Sequence, residues 1–314
     1  MRFDSSSRIV VTGPTGAVGN ALIDELVSCG AQVIAVCREG SPRIASLAGK
    51  QGVTIVECNL GGYDRLLDEI EGPIDAFYHL AWAGTSGSAR QDWEMQAANV
   101  SYALQAALVA ADLGSEVFVG VGGQAEYGSV EGTMHPDGPC DPETGYGAAK
   151  LAARDLTRGF CKHRGIRHEW CRILSLYGPG DRAQSLIMSV VYTLLAGERP
   201  ACTPCDQLWD YVYGKDAARA MRMVAESGRA GETYLIASGI TRPLREFVCA
   251  IRDAIDPSAE IGFGERPYYP NQVMRLEADI SNLVRDTGFE VGYSFEEGIR
   301  ETVEWARAHP VDGE

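Results

Sequence analysis

The 314-residue chain has no cluster of lysine and arginine and no apolar run long enough to span a bilayer. Its 28 Lys and Arg stand against 43 Asp and Glu, a formal net charge of −15. That balance argues against a nucleic-acid partner, because neutralising phosphates takes clustered cations. The opening stretch, MRFDSSSRIVVTG, shows no leader layout and passes directly into strand-like sequence. The expectation is a cytoplasmic protein with no membrane-embedded part.

Sets of metal ligands are missing too. Nine cysteines are scattered along the chain, and Cys37, Cys58 and Cys171 lie in apolar, strand-like runs, which suits reduced, packed thiols. Cys202 and Cys205 form one C-x-x-C, with no second pair nearby to complete a zinc site. Cys161, His163, His168 and Cys171 straddle a helix end and a strand. No metal is expected from either group.

What is present is alternation. Short apolar runs at 8–12, 31–37, 53–58, 74–81 and 115–121 are interleaved with helical patterns, including Val18, Leu22 and Leu26 and a long helix over about 91–111. "YDRLLDEI" reads as a further helix, another begins near Tyr146, and "HEWCRILSLYG" follows as a strand. Strand–helix units of this length predict an α/β fold with a doubly wound parallel sheet of Rossmann type, covered on both faces. After about residue 175 the rhythm loosens, with helices near 184–197, 215–227, 242–255 and 294–308. "GETYLIASG" (231–239) reads as a strand returning to the main sheet. The expected division is 1–174 plus about 212–238 for the first domain. About 175–211 plus 239–314 would form a smaller, interwoven α/β domain for the substrate.

"TGPTGAVG" follows the first strand directly and opens the first helix. Gly13 permits a tight turn, Gly16 lets a pyrophosphate approach the backbone, and Gly19 lets the helix pack on the strand. The helix N-terminus adds free N–H groups and a positive dipole end. Dinucleotide binding follows from that context. After the second strand, where NAD sites usually carry an acid, the chain has Cys37, Arg38 and, close behind, Arg43. A guanidinium can grip a 2′-phosphate that a carboxylate would repel, so NADP(H) is favoured over NAD(H).

"YGAAK" puts Tyr146 and Lys150 on one face of a helix. A nearby ammonium favours tyrosinate, and such a tyrosine can exchange a proton at a carbonyl while hydride moves. With these residues the chain resembles the extended short-chain dehydrogenase/reductase family, in its branch of nucleotide-sugar epimerases, dehydratases and ketoreductases. The likeness covers nearly the whole chain: "TGPTGAVG", "ECNL", "YHLAWAG", "YGAAK", "LYGPGDR", "WDYVYGKDAARA" and "GIRETVEW". It implies Tyr146 and Lys150 as the catalytic pair. It implies coenzyme contacts from Gly13, Thr15, Gly16, Ala17, Val18, Gly19 and Arg38, and from Asn59 and Leu60 at the adenine. Leu80, Ala81, Ala83, Asn99 and Ile173 would complete that lining beside Tyr146 and Lys150. A homodimer pairing helices 91–111 and 146–163 is also implied, and the stripe Val100, Leu104 and Leu108 suits it.

The sequence departs from that family at the strand-5 motif "VGGQAEYG". The usual Ser or Thr is Gly123, with Gln124 adjacent and Thr85, Ser86 and Ser88 as possible stand-ins. Dehydratases carry Asp and Glu next, where this chain has Gln124 and Ala125, so dehydration is disfavoured. Glu126 comes one position late and, by strand alternation, should face away. A usual Asn is Ser175, and an Arg that often meets the diphosphate is Trp209. Arg182 and Arg275 could meet an anionic substrate, and Trp82 and Trp209 could line its pocket. The expected activity is NADP(H)-dependent reduction or epimerisation of a nucleotide-linked keto sugar. The alternative is a coenzyme-binding member with little redox activity, a sensor or assembly partner, because Gly123 lacks the hydroxyl.

Overall fold

A computed structural model describes residues 1–270 and 272–310. Seven strands form one sheet: β1 (Arg8–Thr12), β2 (Gln32–Cys37), β3 (Val53–Glu57), β4 (Ala76–His79), β5 (Val117–Gly123), β6 (Arg167–Ile173) and β9 (Thr233–Ile236). Their order is β3-β2-β1-β4-β5-β6-β9, and every neighbouring pair is parallel. The "GETYLIASG" strand therefore does return to the main sheet. The winding direction reverses between β1 and β4, which opens a crevice at the carboxyl ends of those strands.

Alternation along the strands sends residues to two layers. Ile9 and Val11 pack with Leu22 of α1 (Ala17–Ser28) and Ala217 and Met221 of α6 (Gly214–Ser227). Val10 and Phe77 pack on the other face with Ala106 and Ala110 of α3 (Trp93–Asp112) and Cys161 of α4 (Gly145–Arg164). Asp92 caps α3 by accepting from the Met95 amide, and Thr144 caps α4 by accepting from Gly147. The segment expected to be one helix over "YDRLLDEI" is a 3-10 turn, Leu60–Arg65, followed by the single turn α2 (Leu66–Glu69). Gly61 and Gly62 ahead of it carry a high helical cost, and four residues cannot sustain a helix alone.

A second, mixed sheet is built around β8 (Leu208–Tyr213). Parallel β7 (Ser175–Tyr177) and β11 (Arg275–Leu276) and antiparallel β10 (Thr241–Pro243) flank it. Helices α5 (Leu186–Leu195), α7 (Leu244–Ile255) and α9 (Phe295–Ala308) enclose an aromatic core with Tyr177, Phe247 and Phe295. The short α8 (Ser281–Thr287) packs on α6 and β9 instead. All nine cysteines are free thiols; Cys202 and Cys205 sit in the small core, and Cys161 and Cys171 in the large one. No helix among the described residues is long and apolar enough to cross a membrane.

Candidate active site

The phosphate loop shows why each of its glycines is glycine. Gly13 lies in the left-handed region (φ +69°), and a Cβ there would come 2.7 Å from the Ala81 amide nitrogen. A Cβ at Gly19 would overlap the Gly13 carbonyl. At Gly16, the N-cap of α1, the nearest atom would be 3.9 Å away, so the backbone faces open room. No side chain caps the first turn of α1, and its N–H groups stay open. With half-exposed Thr15, Ala17 and Val18, the loop fits a dinucleotide's pyrophosphate.

At the outer rim, Arg38 lies exposed just past β2, and its guanidinium pairs with no carboxylate among the described residues. Its neighbour Glu39 is engaged: it accepts from Asn59 Nδ2 at 2.8 Å and forms an ion pair with Arg65. Asn59, expected at the adenine, thus spends its amide on Glu39, while Leu60 opens the next 3-10 turn. The carboxylate at this rim went unread in the sequence, although it stands directly after Arg38.

Past β4, the loop of Leu80, Ala81, Trp82 and Ala83 is pinned by α3. Asn99 accepts from the Ala83 amide and donates to the Ala83 carbonyl, each at 3.0 Å. Gln96 accepts from Trp82 Nε1 at 2.8 Å and donates to the carbonyls of Gly84 and Ala89 at 2.9 and 3.0 Å. Gln96 is a site residue that the motifs missed. Its signal was its place one helical turn before Asn99.

Tyr146 and Lys150 share a face of α4, as expected, but Trp82 stands at the lysine. The Lys150 ammonium lies 3.7 Å over the Trp82 ring, donates to the Val121 carbonyl at 2.7 Å, and is 5.8 Å from the Tyr146 ring centroid. Burial pushes the Tyr146 phenol up, the opposing pull comes from Arg90 and then Arg182, and Glu126 pushes it up further. Burial also lowers Lys150 to about 7, against a smaller upward pull from Glu126. Tyr146 is half-buried, and its hydroxyl makes no hydrogen bond among the described residues.

The strand-5 glycines make room for the protein's own side chains. A Cβ at Gly120 would overlap the Trp170 ring, and one at Gly122 would overlap Glu126 and the Trp170 indole nitrogen. Glu126 is fully buried and accepts from the Gly123 amide (2.9 Å), Trp170 Nε1 (3.0 Å) and Arg172 Nε (2.8 Å). Its carboxylate is taken up by these three donors, and strand alternation does not set its direction. β5 ends at Gly123, and Gln124–Glu126 is a 3-10 turn. Gly123 is extended, and a Cβ there would meet only the Ile173 carbonyl, at 3.2 Å. Half-buried Gln124 heads the turn, and its carbonyl accepts from Tyr127.

A family model, "NAD dependent epimerase/dehydratase family", matches residues 9–237. The chain belongs to that family. A dTDP-glucose 4,6-dehydratase from Xanthomonas campestris is 29% identical, over 94% of this chain and 92% of that protein. Among solved structures, a UDP-glucose 4-epimerase from Thermotoga maritima with UDP-glucose superposes with a TM-score of 0.85 at 22% identity, over 96% of this chain and 99% of that one. A dTDP-glucose 4,6-dehydratase from Streptomyces venezuelae with NAD bound gives 0.82 at 24%, over 96% and 97%. These likenesses fit the extended short-chain dehydrogenase/reductase reading and its Rossmann-type sheet.

Within this epimerase/dehydratase family member, two departures turn out to meet each other. Trp209 Nε1 donates to Ser175 Oγ at 2.7 Å, between neighbouring strands β8 and β7. Arg275 is paired with Glu277, just past the end of its strand, at 2.8 Å, so its charge is already answered. Arg182 is exposed and unpaired among the described residues, and it is near enough to act on Tyr146. Beside it lies Asp181, whose carboxyl burial pushes up. No motif singles it out.

Proposed function

We propose that this chain is an NADP(H)-dependent oxidoreductase or epimerase acting on a nucleotide-linked keto sugar. The observation that carries the reading is the continuity of the crevice. The open Gly16 backbone lies at Gly13, Gly13 abuts Ala81, and the next residue, Trp82, sets its ring edge-to-face with Tyr146 at 6.2 Å. A bound nicotinamide nucleotide would supply hydride transfer to or from the sugar carbon. The Tyr146 hydroxyl, uncommitted within the protein, would exchange the proton at the sugar oxygen. Lys150 would hold the coenzyme ribose, as the family resemblance implies. Gln124, Trp82, Ser175, Trp209 and Arg182 would line the substrate side. Relatives named for dTDP-glucose and UDP-sugars support the substrate class. Elimination of water is not proposed, because Gln124 and Ala125 carry no carboxylate and Glu126 is fully engaged.

Solved neighbours hold NAD. In this chain the free Arg38 and the engaged Glu39 support NADP(H). A charge-assisted contact to a 2′-phosphate is worth about 1.5–3 kcal/mol. Arg38→Ala is therefore expected to weaken NADPH binding about ten- to hundredfold and leave NADH unchanged. Calorimetric titration of both coenzymes reads this directly. Tighter NADH binding, indifferent to Arg38→Ala, overturns the preference.

Gly123 favours one other reading, a member that binds coenzyme without turnover. Normal coenzyme binding with no NADPH consumption across a panel of nucleotide keto sugars would select it. The proposed domain division follows the two sheets, with the chain leaving the large one after residue 174. The proposed homodimer would bury the exposed Leu108 of α3 and Leu156 of α4, and light scattering measures it.

A further inference from the structure

We propose that Trp82 is a positioning residue for Lys150: its indole face, locked by the N–H bond to Gln96, is a shelf that holds the buried ammonium beside Tyr146 before any coenzyme arrives. The proposal rests on the reading of Lys150 as the group that holds the coenzyme ribose. A cation placed in advance has less rotamer freedom to lose when it meets its ligand. Gln96 acts one step further back, through Trp82.

The lysine needs such a support. It is 3% exposed, donates one hydrogen bond, to the Val121 carbonyl at 2.7 Å, and touches no carboxylate among the described residues. A buried ammonium without a counter-charge in contact is costly, and burial draws Lys150 down to about 7. The Trp82 ring offsets part of that cost. Its centroid lies 3.7 Å from Nζ, and indole is the best cation-binding face among the aromatic side chains. The carbonyl belongs to β5 and the ring to the loop after β4, so the ammonium is held by two separate segments.

The ring itself is not free to turn. Gln96 is 1% exposed, and both ends of its amide are engaged. Oε1 accepts from Trp82 Nε1 at 2.8 Å and from Asn99 Nδ2 at 3.4 Å. Nε2 donates to the carbonyls of Gly84 and Ala89 at 2.9 and 3.0 Å. The amide has one workable orientation, because the flipped form would set Oε1 against those two carbonyls. The ring so fixed also meets Tyr146, with 80° between the planes. One indole thus stands against both members of the Tyr146–Lys150 pair.

The test needs neither substrate nor turnover. The chain has four lysines, Lys50, Lys150, Lys162 and Lys215. In the full chain labelled with carbon-13 lysine, the Lys150 ε-methylene signal, assigned by its loss in Lys150→Met, should stand upfield of the other three because of the indole ring current. Trp82→Leu should return it towards them, and Gln96→Met should return it in part. Calorimetry then reads whichever of NADPH and NADH binds the parent more tightly. Trp82→Leu should weaken that binding about tenfold, and Trp82→Phe, which keeps a ring face without the N–H, should weaken it less. In a Lys150→Met background, Trp82→Leu should change affinity by no more than about twofold, because the ring acts through the lysine. A merely structural ring, or one that touches the coenzyme itself, would keep its full effect in that background. That outcome overturns the proposal, as do equal affinities of Trp82→Leu and Trp82→Phe or a parent Lys150 signal that is not shifted. If Lys150→Met bound coenzyme as tightly as the parent, the ribose reading would fall, while the lysine signal still judged the shelf.

Discussion

At the β1–α1 end of the crevice, glycine keeps space empty; at the β5 end, glycine space is already filled. Nothing lies closer than 3.9 Å to where a Cβ of Gly16 would be, and that room suits a ligand. The missing Cβ atoms of Gly120 and Gly122 are replaced by the Trp170 ring and the Glu126 carboxylate. The same residue type thus serves recognition in one place and internal packing in the other. The phosphate loop works through backbone geometry, which glycine spacing encodes. The wall around Tyr146 is built from long side chains of four separate segments: Glu126, Trp170 with Arg172, Lys150 and Trp82.

The strongest way to break this contrast is to remove the partner of the filled side. Arg172 is fully buried, ion-paired with Glu126, and also donates to the Pro136 carbonyl at 3.1 Å. Arg172→Met would leave a buried carboxylate without its counter-charge and should cost about 3–5 kcal/mol in denaturant unfolding. A loss below 1 kcal/mol would mean that the network does not hold the wall.

Adjacent glycines sharpen the same point. Gly122→Ala must displace Glu126 or Trp170 and should cost about 1–3 kcal/mol. Gly123→Ala needs the Ile173 carbonyl to give by a few tenths of an ångström, and its cost should stay below about 1 kcal/mol. Equal losses at the two positions would contradict the assignment of filled and open glycines.

Smaller than the Gly122 effect is that of Lys150, which gives the site side a pH signature. Burial lowers its folded-state value to about 7 from 10.5. Between those values the unfolded chain binds more protons, so this group makes stability rise with pH from about 7 to 10.5 and withholds stability below 7. Lys150→Met removes that penalty. Without coenzyme, it should stabilise the protein by about 0.5–2 kcal/mol at pH 6, with the gain shrinking towards pH 10. Thermal melts at several pH values check the sign. A Lys150→Met variant less stable than the parent at pH 6 would contradict the buried-ammonium account.

The fold was legible because its signals are local. Apolar runs of strand length, helical spacing such as Val18, Leu22 and Leu26, and the glycines of "TGPTGAVG" each point to their own element. The site was legible only where it repeats a local pattern, as in Tyr146 and Lys150. Arg90 and Gln96 sit in no motif; their roles come from contacts across segments that only the fold brings together. The partners of Glu126, Trp170 and Arg172, lie more than forty residues on and carry no pairing signal. Trp209 and Ser175 looked like two separate losses in the sequence and are one hydrogen bond in the structure.

The central claim is that proton exchange rests on the Tyr146 phenol, with no hydroxyl from residue 123 to share the work. Single-turnover kinetics of Tyr146→Phe, with coenzyme bound and an active nucleotide keto sugar, tests it most directly. General acid–base help of this kind is worth about 10²–10⁴-fold in rate. The account predicts a loss of that order with coenzyme affinity kept; a Tyr146→Phe enzyme that turns over at the parent rate would contradict it.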